Sequence, residues 1–166
     1  MQKITYISAL SFIVISCSFQ PQPINSKASN PLSINFEVHH NILIVEAYVN
    51  DKWAKFIVDT GASTSILDFN QFKKYDFTYH RELAYGLTSF GGKSALMKTS
   101  PVTFHLKGLE SIAVYRFSAS DLSGMNRILA KDNQKVLGIL GSDFLLNHRA
   151  IIDYSQNKIV LNYLSQ

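Results

Sequence analysis

Apolar positions along this chain fall into short blocks, some continuous and some alternating with polar residues, interrupted at close intervals by Gly, Pro, Asn and Asp. Such blocks predict strands, because successive side chains of a strand face opposite sides of a sheet. Asn41 to Val49 predicts one strand, Asn50-Asp51-Lys52 a turn, and Trp53 to Asp59 a second strand, together a hairpin. Ser63 to Leu67 predicts a short returning strand. Asp68 then caps a short helix expected over Asn70 to Tyr75, with Phe69 and Phe72 on its apolar side. Tyr85 to Leu96, with Gly91-Gly92 near its middle, predicts a hairpin with a flexible tip. Val102, Phe104 and Leu106 alternate with Thr103 and His105, so Thr99 to Leu106 predicts a half-buried strand, and Ile112 to Phe117 another. Ser118 to Lys135 is polar and irregular, with a helical turn expected at Met125 to Leu129. Val136 to Gly141 is apolar and punctuated by glycine, after which Ser142 or Asp143 is placed to cap a short helix over Phe144 to Asn147. Ala150 to Tyr154 and Lys158 to Leu164 predict a closing hairpin around Ser155-Gln156-Asn157.

The N-terminal part reads differently. Ser18 to Ser33 carries Pro21, Pro23 and Pro31 among Gln, Asn and Ser, with no hydrophobic period, which predicts an extended tether. The folded domain is therefore expected over residues 34–166. Met1 to Cys17 opens on Lys3 and continues through Ile4 to Ile15, an apolar stretch too short to span a bilayer. Val14-Ile15-Ser16-Cys17 resembles a bacterial lipobox. That resemblance implies a signal peptide over residues 1–16, lipid on the Cys17 thiol, and a lipidated tether over residues 17–33 on the periplasmic or surface face of a bacterial envelope membrane. An ordinary secretory signal and a membrane helix with a stray Cys are the alternatives.

Composition narrows the picture. With 166 residues, 46% apolar and 17% charged, the chain suits one packed domain. The net charge of +4 is spread over Lys52, Lys55, Lys73, Lys74, Arg116, Arg127, Lys135 and Arg149. Nucleic-acid binding normally needs a clustered stripe, so no nucleic-acid partner is expected. A single cysteine excludes an intrachain disulfide and a cysteine zinc site. His39-His40, His80, His105 and His148 fit no ligand spacing, so neither a metal nor another cofactor is expected. Gly61-Ala62-Ser63-Thr64-Ser65 fails the serine-hydrolase elbow at its last position.

The chemistry concentrates where the run Phe56-Ile57-Val58 ends in Asp59-Thr60-Gly61-Ala62-Ser63. A buried strand delivering a carboxylate needs a partner or a purpose, since an unpaired buried charge is costly. Gly61 permits a sharp turn or close approach of another chain. An ordinary Asp-Thr-Gly turn is the plainer account. A second informative stretch is Gly138-Ile139-Leu140-Gly141-Ser142-Asp143-Phe144-Leu145.

The two stretches, in this order and at this spacing, resemble the active-site motif and second signature of retropepsin-like aspartic proteases. Ile151-Ile152-Asp153-Tyr154 followed by Lys158-Ile159-Val160-Leu161 is similar to the closing hairpin of bacterial members. The resemblance covers about residues 34–164 and implies an all-β, single-lobe acid-protease barrel with one or two short helices. It implies that Asp59 is catalytic, that Thr60, Gly61 and Ala62 support it, and that Ile139, Leu140 and Gly141 pack behind its loop. Phe90, Gly91 and Gly92 fall where the family's flap would close over a substrate. Cleavage without metal or covalent intermediate needs two carboxylates sharing one proton. Asp121-Leu122-Ser123-Gly124 has one residue too many to supply the second, and Asp153 reads as a hairpin residue. The second aspartate must then come from another copy, giving a homodimer acting on peptide or protein substrates. A lipoprotein that keeps the fold but only binds peptides is the alternative, and an unrelated β-barrel envelope lipoprotein a more distant one.

Overall fold

A computed structural model describes residues 31–87, 93–109, 113–130 and 134–162. Cys17 and the expected flap residues Phe90, Gly91 and Gly92 lie outside the described residues. In chain order the elements are β1 (Leu32–Asn35), β2 (Glu37–His39), β3 (Ile42–Val49), β4 (Lys52–Val58), β5 (Ile66–Asp68), a 3-10 turn (Phe69–Gln71), β6 (Tyr79–Leu87), β7 (Lys93–Thr99) and β8 (Val102–Leu106). They continue with β9 (Ala113–Tyr115), β10 (Ser118–Ser120), α1 (Ser123–Leu129), β11 (Gly138–Leu140), α2 (Ser142–Asn147), β12 (Ile151–Asp153) and β13 (Lys158–Leu161). The result is a mainly β single lobe with two short helices, as the sequence predicts.

The long sheet runs β6-β7-β10-β5-β11-β4-β3-β8-β9, with β2 added to β3, and a separate three-stranded sheet runs β1-β13-β12. Its centre is covered on both faces. Val45, Phe56, Val58 and Leu140 enter the main core, while Ile44, Ile57 and Ile139 from the same strands enter a second cluster with Leu122, Leu129 and Val136. Burial on both faces is why β3, β4 and β11 read as continuous apolar runs rather than alternating ones. β8 keeps the alternation, with Val102, Phe104 and Leu106 buried and Thr103 and His105 half-buried. Phe104 meets Phe56, Phe117, Tyr115 and Phe144 edge-on, at ring separations of 5.3–5.8 Å. This geometry suits the ring quadrupoles.

The hairpin that delivers the acid turns more tightly than its sequence suggests. Lys52 pairs with Val49, leaving only Asn50 and Asp51 in the turn, both at positive φ (47° and 61°). Asn and Asp are the non-glycine residues most tolerant of that conformation, and it matches the strand twist. Asn41 belongs to a similar turn (φ 62°) joining β2 to β3, so the strand starts at Ile42.

Several predicted elements shift. The helix expected over Asn70 to Tyr75 is one 3-10 turn followed by loop, although Asp68 does cap it through Asn70 N. The strand expected over Ser63 to Leu67 is Ile66–Asp68, because Ser65 is taken into the neighbouring loop. Thr99 ends β7 rather than opening β8. In Ser118 to Lys135, read as irregular, the helical turn expected at Met125 to Leu129 is part of α1, which starts at Ser123, and β10 is an additional strand. β10 escaped detection because Ser118-Ala119-Ser120 carries no apolar run; its place is fixed by parallel pairing to β5 and antiparallel pairing to β7. Leu32 and Ser33, read with the tether, belong to β1, which pairs with β13.

Candidate active site

β4 and β11 lie side by side and parallel, with Phe56, Ile57 and Val58 opposite Gly138, Ile139 and Leu140. The two signature stretches, far apart in sequence, are adjacent strands. The ladder continues one step past β4, where Asp59 N donates to Leu140 O at 3.0 Å. There the chain turns: Asp59 Oδ1 accepts the Gly61 N–H at 2.8 Å, and Asp59 O accepts the Ala62 N–H at 3.2 Å. A short Asp side chain bonding its own backbone two residues on is the mechanism of such turns. Asp59 is half-buried, Thr60 and Gly61 are exposed.

The segment after β11 fits the far side of this loop. Ser142 N donates to Ala62 O at 2.7 Å and Ser142 Oγ to Thr60 O at 2.7 Å. Gly141 N donates to Ser65 Oγ at 2.9 Å, and Ser65 in turn donates its hydroxyl (2.7 Å) and its N–H (2.9 Å) to the Asp143 carboxylate. A Cβ on Gly141 would lie 2.8 Å from both Ala62 O and the Thr64 carbonyl carbon, so only glycine fits. Gly138 is equally constrained, its Cβ position being 2.4 Å from Ile66 O and 2.6 Å from the Phe56 ring. Ile139, Leu140 and Gly141 therefore stand behind the Asp59 loop.

Two hollows open beside the loop. One, of about 310 Å³, is lined by Asp59 and Thr60 together with Ile42, Ile57, Met125 and Tyr154. The other, of about 350 Å³ and mostly apolar, lies between Thr60 and the side chains of Leu145, Leu146, Ala150 and Ile152. Asp59 stands in the first hollow, whose lining mixes polar and apolar groups, while Thr60 and Ile152 border both, so a polar reacting group and an apolar side chain could be recognised side by side.

Other acids and histidines of the described residues are engaged elsewhere, as five of them show. Asp121 accepts from Ser123 N (2.8 Å) and Asn70 Nδ2 (2.9 Å) at the start of α1. The Ser123 backbone bond, foremost, holds its carboxyl below the usual range. Asp153 is a hairpin residue, accepting from Ser155 N, Ser155 Oγ and Gln156 N, and the Ser155 hydroxyl is the main cause of its lowered pKa. His39 pairs with Glu37, and His105 stacks on Tyr48. His148 is buried against Phe144, its Nε2 2.9 Å from Tyr115 OH and its Nδ1 3.0 Å from Phe144 O. Burial pushes its pKa down, partly opposed by the Phe144 carbonyl. Among the described residues no group of three or more His, Cys, Asp or Glu is arranged to hold a metal ion.

Sequence reasoning missed Asp143 and Ser142 as partners of the loop; it saw them only as helix caps. The N-cap of α2 is Gly141, and both side chains reach across to residues 60–65 instead. Two polar residues directly after an apolar, glycine-flanked strand were the available signal. Met125 was also missed, because α1 comes to the hollow from a stretch with no clear period.

A sequence model of the family described as aspartyl protease matches residues 45–144, from the middle of β3 to Phe144 just past Asp143. Among solved structures, the retroviral protease-like domain of Ddi1 from Leishmania major superposes with a TM-score of 0.50. It is 19% identical, over 72% of this chain and 87% of that one. A retropepsin-like aspartic protease from Rickettsia conorii gives 0.48 at 21% identity, over 82% and 94% of the two chains. The EIAV protease bound to the inhibitor HBY-793 gives 0.45 at 24% identity, over 62% and 84%. No curated protein is similar enough to count as a match.

Proposed function

This chain belongs to the aspartyl protease family and has the retropepsin-like fold, and from that premise we propose that it is an aspartic endopeptidase completed by a second copy of itself. The observation that carries the reading is the setting of Asp59. It ends a strand buried on both faces, is held at its own backbone by Leu140 O and at its carboxylate by Gly61 N–H, and lines an open hollow. The sequence contains one Asp-Thr-Gly, so a second carboxylate at the same site comes from a second Asp59.

Two such carboxylates brought together by a twofold axis cannot both ionise easily, and they hold one proton between them. The ionised member takes a proton from water as it attacks the peptide carbonyl; the protonated member supplies one toward the leaving amine. The pair titrates as a unit, so the rate is expected to be bell-shaped in pH. In this reading the exposed Thr60 meets its counterpart across the axis, Gly61 lets the two loops approach, and Phe90, Gly91 and Gly92 close over the substrate. The apolar hollow that adjoins the loop at Thr60 favours an apolar side chain near the cut bond. Lipid on Cys17 would tether the domain to an envelope membrane, where confinement raises the effective concentration for pairing.

A mixed peptide library incubated with the purified domain and with Asp59→Asn tests the chemistry. Cleavage is expected from the first alone; equal cleavage by both would defeat the mechanism, and none by either would favour a peptide-binding role. Full activity from a species that sediments as a monomer at every concentration would refute the shared site. Unchanged processing and membrane fractionation of Cys17→Ser would refute the anchor.

A further inference from the structure

We propose that Asp143 is a positioning residue for Asp59, acting through Ser65. The loop from Asp59 to Ser65 has no sheet partner along most of its length, so its polar groups must be satisfied elsewhere. Residues 140–143 take them in order: Leu140 O binds Asp59 N, Ser142 binds the Thr60 and Ala62 carbonyls, and Gly141 N binds Ser65 Oγ. The Ser65 N–H faces none of these backbone groups. It goes to Asp143 Oδ2 at 2.9 Å, while Oδ1 receives the Ser65 hydroxyl at 2.7 Å, and Thr64 Oγ1 adds a third bond at 3.3 Å. Ser65 is buried, and its oxygen accepts from Gly141 while its hydroxyl donates to Asp143. Asp143, Ser65 and Gly141 thus form one chain of bonds.

Asp143 itself is exposed at the start of α2, and its carboxylate takes the adjacent Phe144 N–H at 2.8 Å. Charge-assisted bonds are the stronger kind, and two of them converge on one residue of the loop. The loop is therefore pinned at both ends to one rigid unit: at Asp59 by β11 and at Ser65 by the first turn of α2. Between these ends the Asp59 carboxylate turns Oδ1 to the Gly61 N–H. Ser65 O also accepts the Ser118 N–H at 3.2 Å, so losing the Asp143 bonds would loosen the loop at Ser65 rather than free it, without touching substrate.

This inference rests on the proteolytic reading, and its test separates the two. Steady-state kinetics of Asp143→Ala, Ser65→Ala and the double variant are compared with the unaltered protein. Each single change is expected to lower kcat roughly a hundredfold, as small misplacements of reacting groups do. KM should move less than about threefold, and the double variant should be no worse than the poorer single one, because coupled residues fail additivity. Asp143→Asn keeps one carbonyl oxygen for Ser65 and should recover part of kcat. In parallel, hydrogen exchange of the Gly61 amide, whose proton goes to Asp59 Oδ1, reports the carboxylate's orientation without any substrate. Faster Gly61 exchange in Asp143→Asn, with global protection intact, is expected. Unchanged Gly61 exchange, or unchanged kcat in folded Asp143→Ala, would overturn the proposal. If the unaltered protein cleaves nothing, the proteolytic reading falls, and Gly61 exchange alone still decides whether Asp143 positions the loop.

Discussion

Asp59 and Asp68 sit at opposite ends of one short stretch, each at the C-terminal end of an apolar strand, and the fold treats them differently. Asp68 is almost wholly buried, at 2% exposure, and both its oxygens are surrounded by donors. Oδ1 accepts from Asn70 N, Asn70 Nδ2 and Leu122 N, and Oδ2 from Gln71 Nε2 and Asn126 Nδ2. The same Gln71 and Asn126 amides also hold Val136 O, and Asn126 Oδ1 accepts Val136 N–H. This carboxylate ties the 3-10 turn, α1 and the approach to β11 into one network. Asp59 is half-exposed beside a hollow and is oriented by its own turn. A carboxylate wrapped in donors from its own chain serves the fold; one held in place but open toward solvent is available for chemistry.

The sharpest way to break this comparison is to exchange the two outcomes. Asp59→Asn should cost about 10³-fold in cleavage rate, the scale of a lost acid–base group, with a melting temperature close to the original. A large loss of stability instead would place Asp59 with Asp68. Asp68→Ala should do the reverse. It removes a buried acceptor shared by three side-chain amides and two backbone N–H groups, at a cost of about 3–5 kcal/mol by denaturant unfolding. The folded fraction should keep its turnover.

Gly141→Ala tests the packing between the loop and its backing. The new methyl would press on Ala62 O and the Thr64 carbonyl, so destabilisation of about 1–3 kcal/mol is expected together with a loss of kcat. A fully active, fully stable variant would mean that the loop gives way freely. The smallest effect concerns His148. Burial lowers its pKa, so the unfolded chain binds the proton more readily than the folded one. Its contribution is neutral above the ordinary value of 6.5 and becomes destabilising as pH falls below it, through the lowered folded value. Thermal scans from pH 7 downward should show a decline that is shallower in His148→Gln. Identical slopes would remove His148 from the account.

Much of this was legible in the sequence because the signals were local. The β3–β4 hairpin follows from Asn50-Asp51 between two β-rich runs, and Asp59 stands out because an apolar strand ends on it. The Asp153 turn was equally readable, since its bonding partners lie only two and three residues on. β10 was not, because Ser118-Ala119-Ser120 has no strand preference of its own and owes its conformation to β5 and β7. Nor was the role of Asp68: its sequence position announces a cap, whereas three of its five bonds come from beyond its own turn or from a side chain buried with it.

The sequence by itself determined that this is a β-rich lobe with a carboxylate after a buried strand and a glycine-bracketed partner stretch, because periodicity, turn chemistry and motif order are properties of neighbouring residues. It took the folded chain to make the two stretches adjacent parallel strands, to leave no room for a side chain at Gly138 and Gly141, and to let Asp143, while bonding the Phe144 N–H of its own helix, also hold Ser65. Those facts depend on which surfaces meet after folding. A carboxylate's neighbours in space, not its neighbours in the chain, decide whether it becomes part of the core or part of a site.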